Sequence, residues 1–151
     1  MIDVPIYHHP DYPVRRAYEG DAGLDLPIAE LEWDITNHET GDGHWVVNTG
    51  VHVAIPDGYE GQVRMRSSYA KKGFFICNGV GTIDAGYRGE IFAYIYQAVG
   101  RPSDSGHLYV GDYPMQLVIC PVPKVNLITV GSPAGLPPGV RGDKGFGSSG
   151  R

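Results

Sequence analysis

A single carboxylate between two strand-forming runs is the first candidate for chemistry in this chain. Asp84 follows the β-branched pair Thr82-Ile83, precedes Gly86 in a turn signal, and is followed closely by the ring of Tyr87. The apolar run from 91 to 96 predicts a second strand, so the sequence predicts a hairpin with Asp84 at its tip. A rigid turn can hold a carboxylate and an aromatic ring at the mouth of a pocket. Taken alone, the stretch favours the simpler explanation that Asp and Gly only make the turn.

A candidate anion site follows the strand predicted from 62 to 66. Arg66, Ser67 and Ser68 open a short predicted helix that a serine caps and Gly73 ends. Backbone N–H groups at a helix start, two hydroxyls and a guanidinium can together bind an anion. The alternative is an ordinary cap beside a solvated arginine. Gln116, inside a later β-rich run, requires a polar partner if it is buried, and otherwise is an edge-strand glutamine.

The last residues, 141 to 151, form a Gly/Ser-rich tail with one aromatic side chain, Phe146. Disorder or an expression scar would explain it. A ligand-wrapping arm would explain it too, because glycines let a backbone approach closely, hydroxyls and Arg141 suit phosphates, and a phenyl ring stacks on a base.

Composition restricts the class of protein. The chain has 151 residues, enough for one domain with a real core, and 22 Gly and 12 Pro favour short strands joined by tight turns. The net charge of −5 argues against a protein that coats nucleic acid. No apolar run reaches the ~18 residues needed to span a bilayer. The histidines and cysteines lack zinc-site spacing, so we expect no metal caged by protein ligands.

Cys77 and Cys120 are too few for a disulfide framework, and we expect them to be reduced, buried thiols in a cytoplasmic protein. The N-terminal residues also lack a basic segment followed by an apolar one. We predict an all-β domain over residues 1–130, followed by a linker and a C-terminal arm over 131–151. Strands are predicted at 31–35, 45–49, 51–55, 62–66, 74–77, 91–96, 107–110 and 116–120, with a loop at 37–44 and a turn at 56–59.

In order and spacing, five stretches resemble the motifs of the trimeric deoxyuridine triphosphatase (dUTPase) family. They are Ala22-Gly23-Leu24-Asp25-Leu26, Arg66-Ser67-Ser68-Tyr69-Ala70, Asn78 with Gly81 to Ile91, Gly111-Asp112 through Gln116-Leu117, and Arg141-Gly142 through Gly145-Phe146-Gly147-Ser148-Ser149-Gly150. The resemblance covers nearly the whole chain, and its third and fifth motifs are specific.

The resemblance implies a jelly-roll-like β-barrel, a homotrimer, and hydrolysis of dUTP to dUMP and pyrophosphate, which limits uracil in DNA and supplies dUMP for dTMP synthesis. Each active site would draw on three subunits, one of which sends its arm over the ligand. The nucleotide would carry Mg²⁺, held by triphosphate oxygens and water, with Asp25 either in the outer shell of the metal or bracing the site. In a viral source, the location would be the host cytoplasm.

The roles of single residues also come from the resemblance. Asp84 would activate the water that attacks the α-phosphorus, and Tyr87 would exclude a 2′-hydroxyl. The remaining residues would bind substrate: Asn78, Gly81, Thr82 and Ile83 at uracil; Arg66, Ser67, Ser68 and Gln116 at the phosphates; Arg141, Phe146, Gly147, Ser148 and Ser149 in the closing arm.

Some positions depart from the family pattern, in which Ser68 is usually Gly and Tyr113-Pro114-Met115 usually Arg-Ile-Ala. The double serine resembles the related dCTP deaminases, but these have a catalytic Glu ten residues after the turn Asp, where this chain has Tyr94. A non-catalytic nucleotide sensor on the same scaffold is a second alternative. The retention of Asp84, Tyr87 and Phe146 together argues against it.

Overall fold

Ten short strands form nearly all the regular structure of the described residues. The computed structural model describes residues 1–39, 42–98 and 106–140. The strands are β1 Ile6–Tyr7, β2 Gly23–Leu26, β3 Glu30–Asn37, β4 Asp42–Asn48, β5 His52–Val53, β6 Tyr59–Met65, β7 Phe74–Ile76, β8 Gly81–Ile83, β9 Phe92–Gln97 and β10 Met115–Pro121. A single helical turn, α1, spans Ser67–Ala70, and a 3₁₀ turn spans Pro133–Gly135.

The strands form two four-stranded antiparallel sheets and one small ribbon. The first sheet has the order β2-β10-β6-β8, the second β3-β4-β9-β7, and β1 pairs with β5. Among the described residues, no ladder joins the two large sheets. The all-β prediction is confirmed, although the sheets do not close into a barrel. No helix in the described part of the chain is long and apolar enough to cross a membrane.

Alternating apolar residues from both sheets form one core. Val63 and Leu117 contribute from the first sheet, and Val47 and Ile95 from the second, each at most 2% exposed. Full burial of such a side chain contributes about 1.5–3 kcal/mol. Thr49 is the one buried polar side chain among the described residues. The period-2 pattern thus assigns inward and outward faces correctly.

The predicted hairpin is wrong. β8 pairs with β6, whereas β9 pairs with β4 and β7, so residues 84–91 cross from one sheet to the other. Ile83 and Ile95 still face the same core, from opposite sheets. Local strand and turn signals therefore located the segment but could not choose its pairing partners.

Several smaller predictions also need correction. Arg66, not a serine, is the N-cap of α1, and no side-chain hydrogen bond caps it. Residues 107–110 form no strand but lead into a turn with Gly111 at φ +90°. β3 and β4 extend into the predicted loop at 37–44. The turn at 56–59 is confirmed: Gly58 has φ +82° and the Tyr59 N–H donates to the Pro56 carbonyl at 3.2 Å.

The described residues after β10 pack against little of the domain. Every residue from 121 to 140 is exposed, including Leu127 and Ile128. The boundary at 130 between a domain and an arm stays a prediction.

Candidate active site

The turn after β8 is held by its own hydrogen bonds. The Tyr87 N–H donates to the Asp84 carbonyl at 3.0 Å, and Arg88 Nη1 donates to the Ala85 carbonyl at 2.6 Å. The Tyr87 hydroxyl donates to the Glu90 carbonyl at 2.7 Å. These contacts fix the backbone of the turn at Asp84 and the ring of Tyr87 relative to one another, as a substrate-positioning turn requires.

Two further contacts attach this turn to the second sheet. The Glu90 carboxylate accepts the Gly50 N–H at 2.6 Å, and the buried Thr49 hydroxyl donates to the Ile91 carbonyl at 2.6 Å. At Gly89, an added Cβ would lie 2.3 Å from the Tyr87 hydroxyl oxygen. Glycine at 89 therefore lets the tyrosine ring lie against the backbone.

A cavity of about 370 Å³ opens beside β8, and we call it the β8 cavity. Its volume is in the range of pockets that bind small organic ligands. The sequence-predicted residues that line it are Asn78, Gly81, Thr82, Ile83, Asp84 and Tyr87. Its remaining walls include Val63, Ile76 and Ala93, so the interior is largely apolar.

Seven lining residues of this cavity were not predicted as site residues: Val63, Ile76, Cys77, Glu90, Phe92, Ala93 and Tyr94. Cys77 and Glu90 flank the predicted residues, and proximity to that stretch was the available signal. The expectation of buried thiols is wrong, because Cys77 is exposed and Cys120 is half-buried. Partial desolvation at the cavity wall raises the pKa of the Cys77 thiol, so the side chain is neutral at pH 7.

A second cavity, of about 310 Å³, lies on the first sheet, and we call it the Arg66 cavity. Arg66, Ser67 and Gln116 line it together with Asp25, Asp21 and Gly23. Ser68 is exposed and is not among its lining residues.

Strand register explains this grouping of residues distant in sequence. Gln116 of β10 is opposite Asp25 on β2 and opposite Arg64 on β6. Arg66 follows β6 and continues the pairing, because its N–H donates to the Pro114 carbonyl at 2.8 Å. An added Cβ at Gly23 would lie 2.1 Å from Gln116 Oε1, so glycine at 23 leaves room for the amide.

The guanidinium of Arg66 is oriented from two sides. Its Nη2 lies 3.0 Å from Asp25 Oδ2, and its Nη1 donates to the Tyr113 carbonyl at 2.8 Å. The side chains of Arg66 and Asp25 are 32% and 16% exposed, so the pair is partly shielded from water. In α1, burial and the Asp112 carboxylate raise the pKa of Tyr69, which keeps its hydroxyl protonated.

The two cavities have no lining residue in common within the described chain. The structure thus brings the predicted residues together in two groups, one around Asp84 and one around Arg66. Arg141, Phe146, Gly147, Ser148 and Ser149 lie outside the described residues. No cluster of three or more potential metal ligands occurs in ranges 1–39, 42–98 and 106–140.

Comparisons with known proteins agree on one family. The dUTPase family model matches residues 12–150. The chain is 41% identical over 149 residues to a deoxyuridine 5′-triphosphate nucleotidohydrolase from Leifsonia xyli, covering 97% of this chain and 85% of that protein.

Solved structures give the same result. The structure of the Staphylococcus bacteriophage 80alpha dUTPase with dUPNHPP has a TM-score of 0.75 and 27% identity, covering 100% of both chains. A point mutant of the dUTPase from phage phi11 of S. aureus, described with a structural Mg(II) ion, has a TM-score of 0.66 and 26% identity, over 87% of this chain and 98% of that one.

Proposed function

The chain belongs to the dUTPase family, and from this premise we propose that it hydrolyses dUTP to dUMP and pyrophosphate. The observation that carries the proposal is the β8 cavity, which Asp84, Tyr87, Asn78 and the residues of β8 line together. In one pocket, the Asp84 carboxylate would activate the water that attacks the α-phosphorus, the Tyr87 ring would contact the sugar, and the Asn78 amide would bind the base.

The β8 cavity would bind the nucleoside. Asn78 and the backbone of 81–83 supply donors and acceptors for the uracil edge, and a base with the wrong pattern would leave buried polar groups unpaired. The Tyr87 ring would pack against deoxyribose. Because its hydroxyl is tied to the Glu90 carbonyl, the ring cannot easily move aside for a 2′-hydroxyl.

Asp84 would act as the general base. Its carboxylate takes a proton from a bound water, whose oxygen forms the new bond to the α-phosphorus. The bond between the α-phosphorus and the α–β bridging oxygen breaks, and pyrophosphate leaves with that oxygen.

The Arg66 cavity would bind phosphates. Its guanidinium, the Ser67 hydroxyl and the Gln116 amide are donors suited to anionic oxygens. Ser68 would contribute from the surface beside it. The separation of the two cavities within one chain supports a homotrimer, in which the nucleoside pocket of one subunit meets the phosphate pocket of another.

The C-terminal arm would complete the site. Arg141, Gly147, Ser148 and Ser149 would close over the phosphates, with Phe146 stacked on the base. Truncation after Gly139 should cut turnover sharply without dissociating the oligomer. Steady-state kinetics and size-exclusion chromatography test this, and an unimpaired truncated enzyme would remove the arm from the site.

Magnesium is part of the proposal. The donor set fits an ion held chiefly by phosphate oxygens and water, since each cavity offers few carboxylates and Asp25 is already paired with Arg66. When bound, the ion neutralises triphosphate charge and favours in-line attack. Asp25 would act mainly as a brace for Arg66, and its outer-shell role stays a prediction. A cytoplasmic location is likewise part of the proposal.

Deamination of dCTP is the alternative enzyme, and the structure offers an argument against it. Tyr94 stands where a deaminase carries its glutamate, and its ring contacts His44 edge-on with 4.7 Å between centroids. The carboxylate of the nearby Glu90 already accepts a hydrogen bond from the Gly50 N–H.

The test is a release assay for pyrophosphate and ammonia with dUTP, dCTP, dTTP and UTP, with and without Mg²⁺. We expect pyrophosphate from dUTP alone, dependent on Mg²⁺. Ammonia from dCTP would overturn the assignment, and nucleotide binding without any product would favour the sensor.

A further inference from the structure

Arg66 is held by a ring of contacts that extends well beyond the cavity it lines. We propose that Tyr113 and Arg15 are positioning residues, which act through the backbone carbonyl of Tyr113 to hold Arg66 in its phosphate-binding orientation. The inference rests on the proposed function, because it assigns a role in binding the triphosphate of that same substrate.

Tyr113 is the central member of the ring. Its carbonyl accepts Arg66 Nη1 at 2.8 Å, and its hydroxyl donates to the Pro13 carbonyl at 2.8 Å. The residue is 8% exposed. The side chain therefore anchors one end of the residue while the carbonyl positions the guanidinium.

Arg15 covers the face of this tyrosine. Its guanidinium carbon lies 4.1 Å from the centre of the Tyr113 ring, within the range of a cation–π contact. The residue is exposed at the surface. Arg15 therefore packs over the Tyr113 ring while remaining at the protein surface.

Arg15 also reaches the second partner of Arg66. It forms an isolated antiparallel bridge with Asp25, in which the Asp25 N–H donates to the Arg15 carbonyl at 2.7 Å and the Arg15 N–H donates back at 3.2 Å. Asp25 in turn pairs with Arg66 through Oδ2 at 3.0 Å. Arg15, Asp25, Arg66 and Tyr113 thus form a closed ring of contacts.

The physical consequence is preorganisation. A free arginine side chain loses rotamer entropy when it binds a phosphate, whereas this guanidinium is already held by a carboxylate and a carbonyl. Removing the contact between Arg15 and Tyr113 should weaken triphosphate binding without affecting uracil recognition in the β8 cavity. A residue with a merely structural role would affect both ligands alike.

The test compares three probes by titration on the intact oligomer: deoxyuridine, inorganic tripolyphosphate with Mg²⁺, and the dUTP analogue dUpNHpp. Arg15→Met should weaken tripolyphosphate and dUpNHpp about two- to fivefold, the scale of an exposed cation–π contact. Deoxyuridine affinity should stay unchanged. Arg15→Lys, which keeps a cation over the ring, should retain most of the wild-type affinity.

The matched control is Arg16→Met, which removes the same charge one residue away. Arg16 is exposed and donates to the Glu19 carbonyl at 3.3 Å. It is therefore not a member of the ring of contacts around Arg66. It should alter none of the three affinities. An equal loss with Arg16→Met would show a general charge effect and overturn the inference.

A double-mutant cycle tests whether Arg15 acts through Tyr113. In a Tyr113→Leu background, Arg15→Met should have no further effect on tripolyphosphate. If that variant does not fold, Tyr113→Phe replaces it: loss of the hydroxyl contact should weaken tripolyphosphate about two- to tenfold and leave deoxyuridine unaffected. A full Arg15→Met effect without the Tyr113 ring, or equal losses for deoxyuridine, would overturn the inference.

The two proposals fail differently. If the wild type released no pyrophosphate from dUTP while Arg15→Met still selectively weakened tripolyphosphate, the positioning role would stand and the proposed reaction would fall. If dUTP turnover were normal and tripolyphosphate binding unaffected by Arg15→Met, the reverse would hold.

Discussion

The β8 cavity and the Arg66 cavity are built in opposite ways. The polar residues of the first come mainly from one stretch, 78–90, locked by hydrogen bonds within a turn. Those of the second come from segments far apart in sequence: strand register places Gln116 opposite Asp25, and the N–H of Arg66, which follows β6, donates to the Pro114 carbonyl. The first cavity has largely apolar walls suited to a base, whereas the second holds an ion pair.

The β8 cavity is therefore suited to recognising the base, and the Arg66 cavity to binding the charged phosphates. A contiguous turn can keep a base, a water and a carboxylate in fixed relation, because few torsions lie between them. A guanidinium held by the Asp25 carboxylate and the Tyr113 carbonyl can bind phosphates without reorganising. In the proposed reaction the β8 cavity supplies the general base and the Arg66 cavity binds the phosphates, so the reaction needs both.

The largest expected effect is on the β8 cavity. Asp84→Asn should lower kcat about 10²- to 10⁴-fold, the usual contribution of a general base, while dUpNHpp binding stays nearly intact. Steady-state kinetics and calorimetry measure the two quantities. Asp57→Asn, in the exposed turn at 56–59, is the matched control and should be silent. Comparable turnover in Asp84→Asn would remove Asp84 from the mechanism.

The next effect is on the Arg66 cavity. Arg66→Gln removes a charged donor and leaves Asp25 unpaired, so dUpNHpp should bind about 10- to 100-fold more weakly. Deoxyuridine binding should not change, because the β8 cavity shares no lining residue with this one. Arg16→Gln removes the same charge from an exposed side chain as a control. An equal loss of deoxyuridine affinity would mean that the two cavities are not separate in function.

A smaller effect concerns the sugar. Tyr87→Ala should raise the ratio of UTP to dUTP turnover about 10-fold or more, because the ring no longer blocks a 2′-hydroxyl. Tyr87→Phe keeps the ring but loses its hydrogen bond to the Glu90 carbonyl, so its discrimination should lie between those of Tyr87→Ala and the wild type. The measurement is kcat/KM for both nucleotides. Unchanged discrimination in Tyr87→Ala would assign the gate to another residue.

The smallest functional effect is expected at Thr49. Thr49→Val removes a buried hydroxyl that donates to the Ile91 carbonyl and accepts the Val51 N–H. The free energy of unfolding should fall by about 1–3 kcal/mol with kcat nearly unchanged. Urea denaturation at fixed protein concentration measures this, with the exposed Thr36→Val as control. A large loss of kcat without destabilisation would show that Thr49 acts on the turn and not on the fold.

The resemblance to the dUTPase family predicted residues of both cavities, but local sequence patterns bear on the two differently, for a physical reason. Asn78 to Tyr87 are neighbours in sequence, so a local pattern contains nearly all their geometry. The partners of Arg66 depend on which strands pair, and local patterns do not specify this. The wrong hairpin has the same origin, because strand propensity located β8 and β9 but not their separate sheets.

Side-chain roles were harder to predict than strands. Asp25 was predicted either to face the metal or to brace the site, and only the 3.0 Å contact with Arg66 favours bracing. Tyr113 appeared in the sequence as a departure from the family pattern without a role. The group that accepts the Arg66 hydrogen bond is the backbone carbonyl of Tyr113. Every residue has such a carbonyl, so the residue type could not predict this contact.

The central claim is that Asp84 of one subunit and Arg66 of another act on the same dUTP. The most direct test is complementation between Asp84→Asn and Arg66→Gln, unfolded together, refolded as a 1:1 mixture and assayed for pyrophosphate release at low dUTP. If the two groups come from different subunits of a cyclic trimer, about a quarter of the sites regain both wild-type residues, and activity rises well above that of either variant. Mixed trimers with no gain in activity would contradict the account.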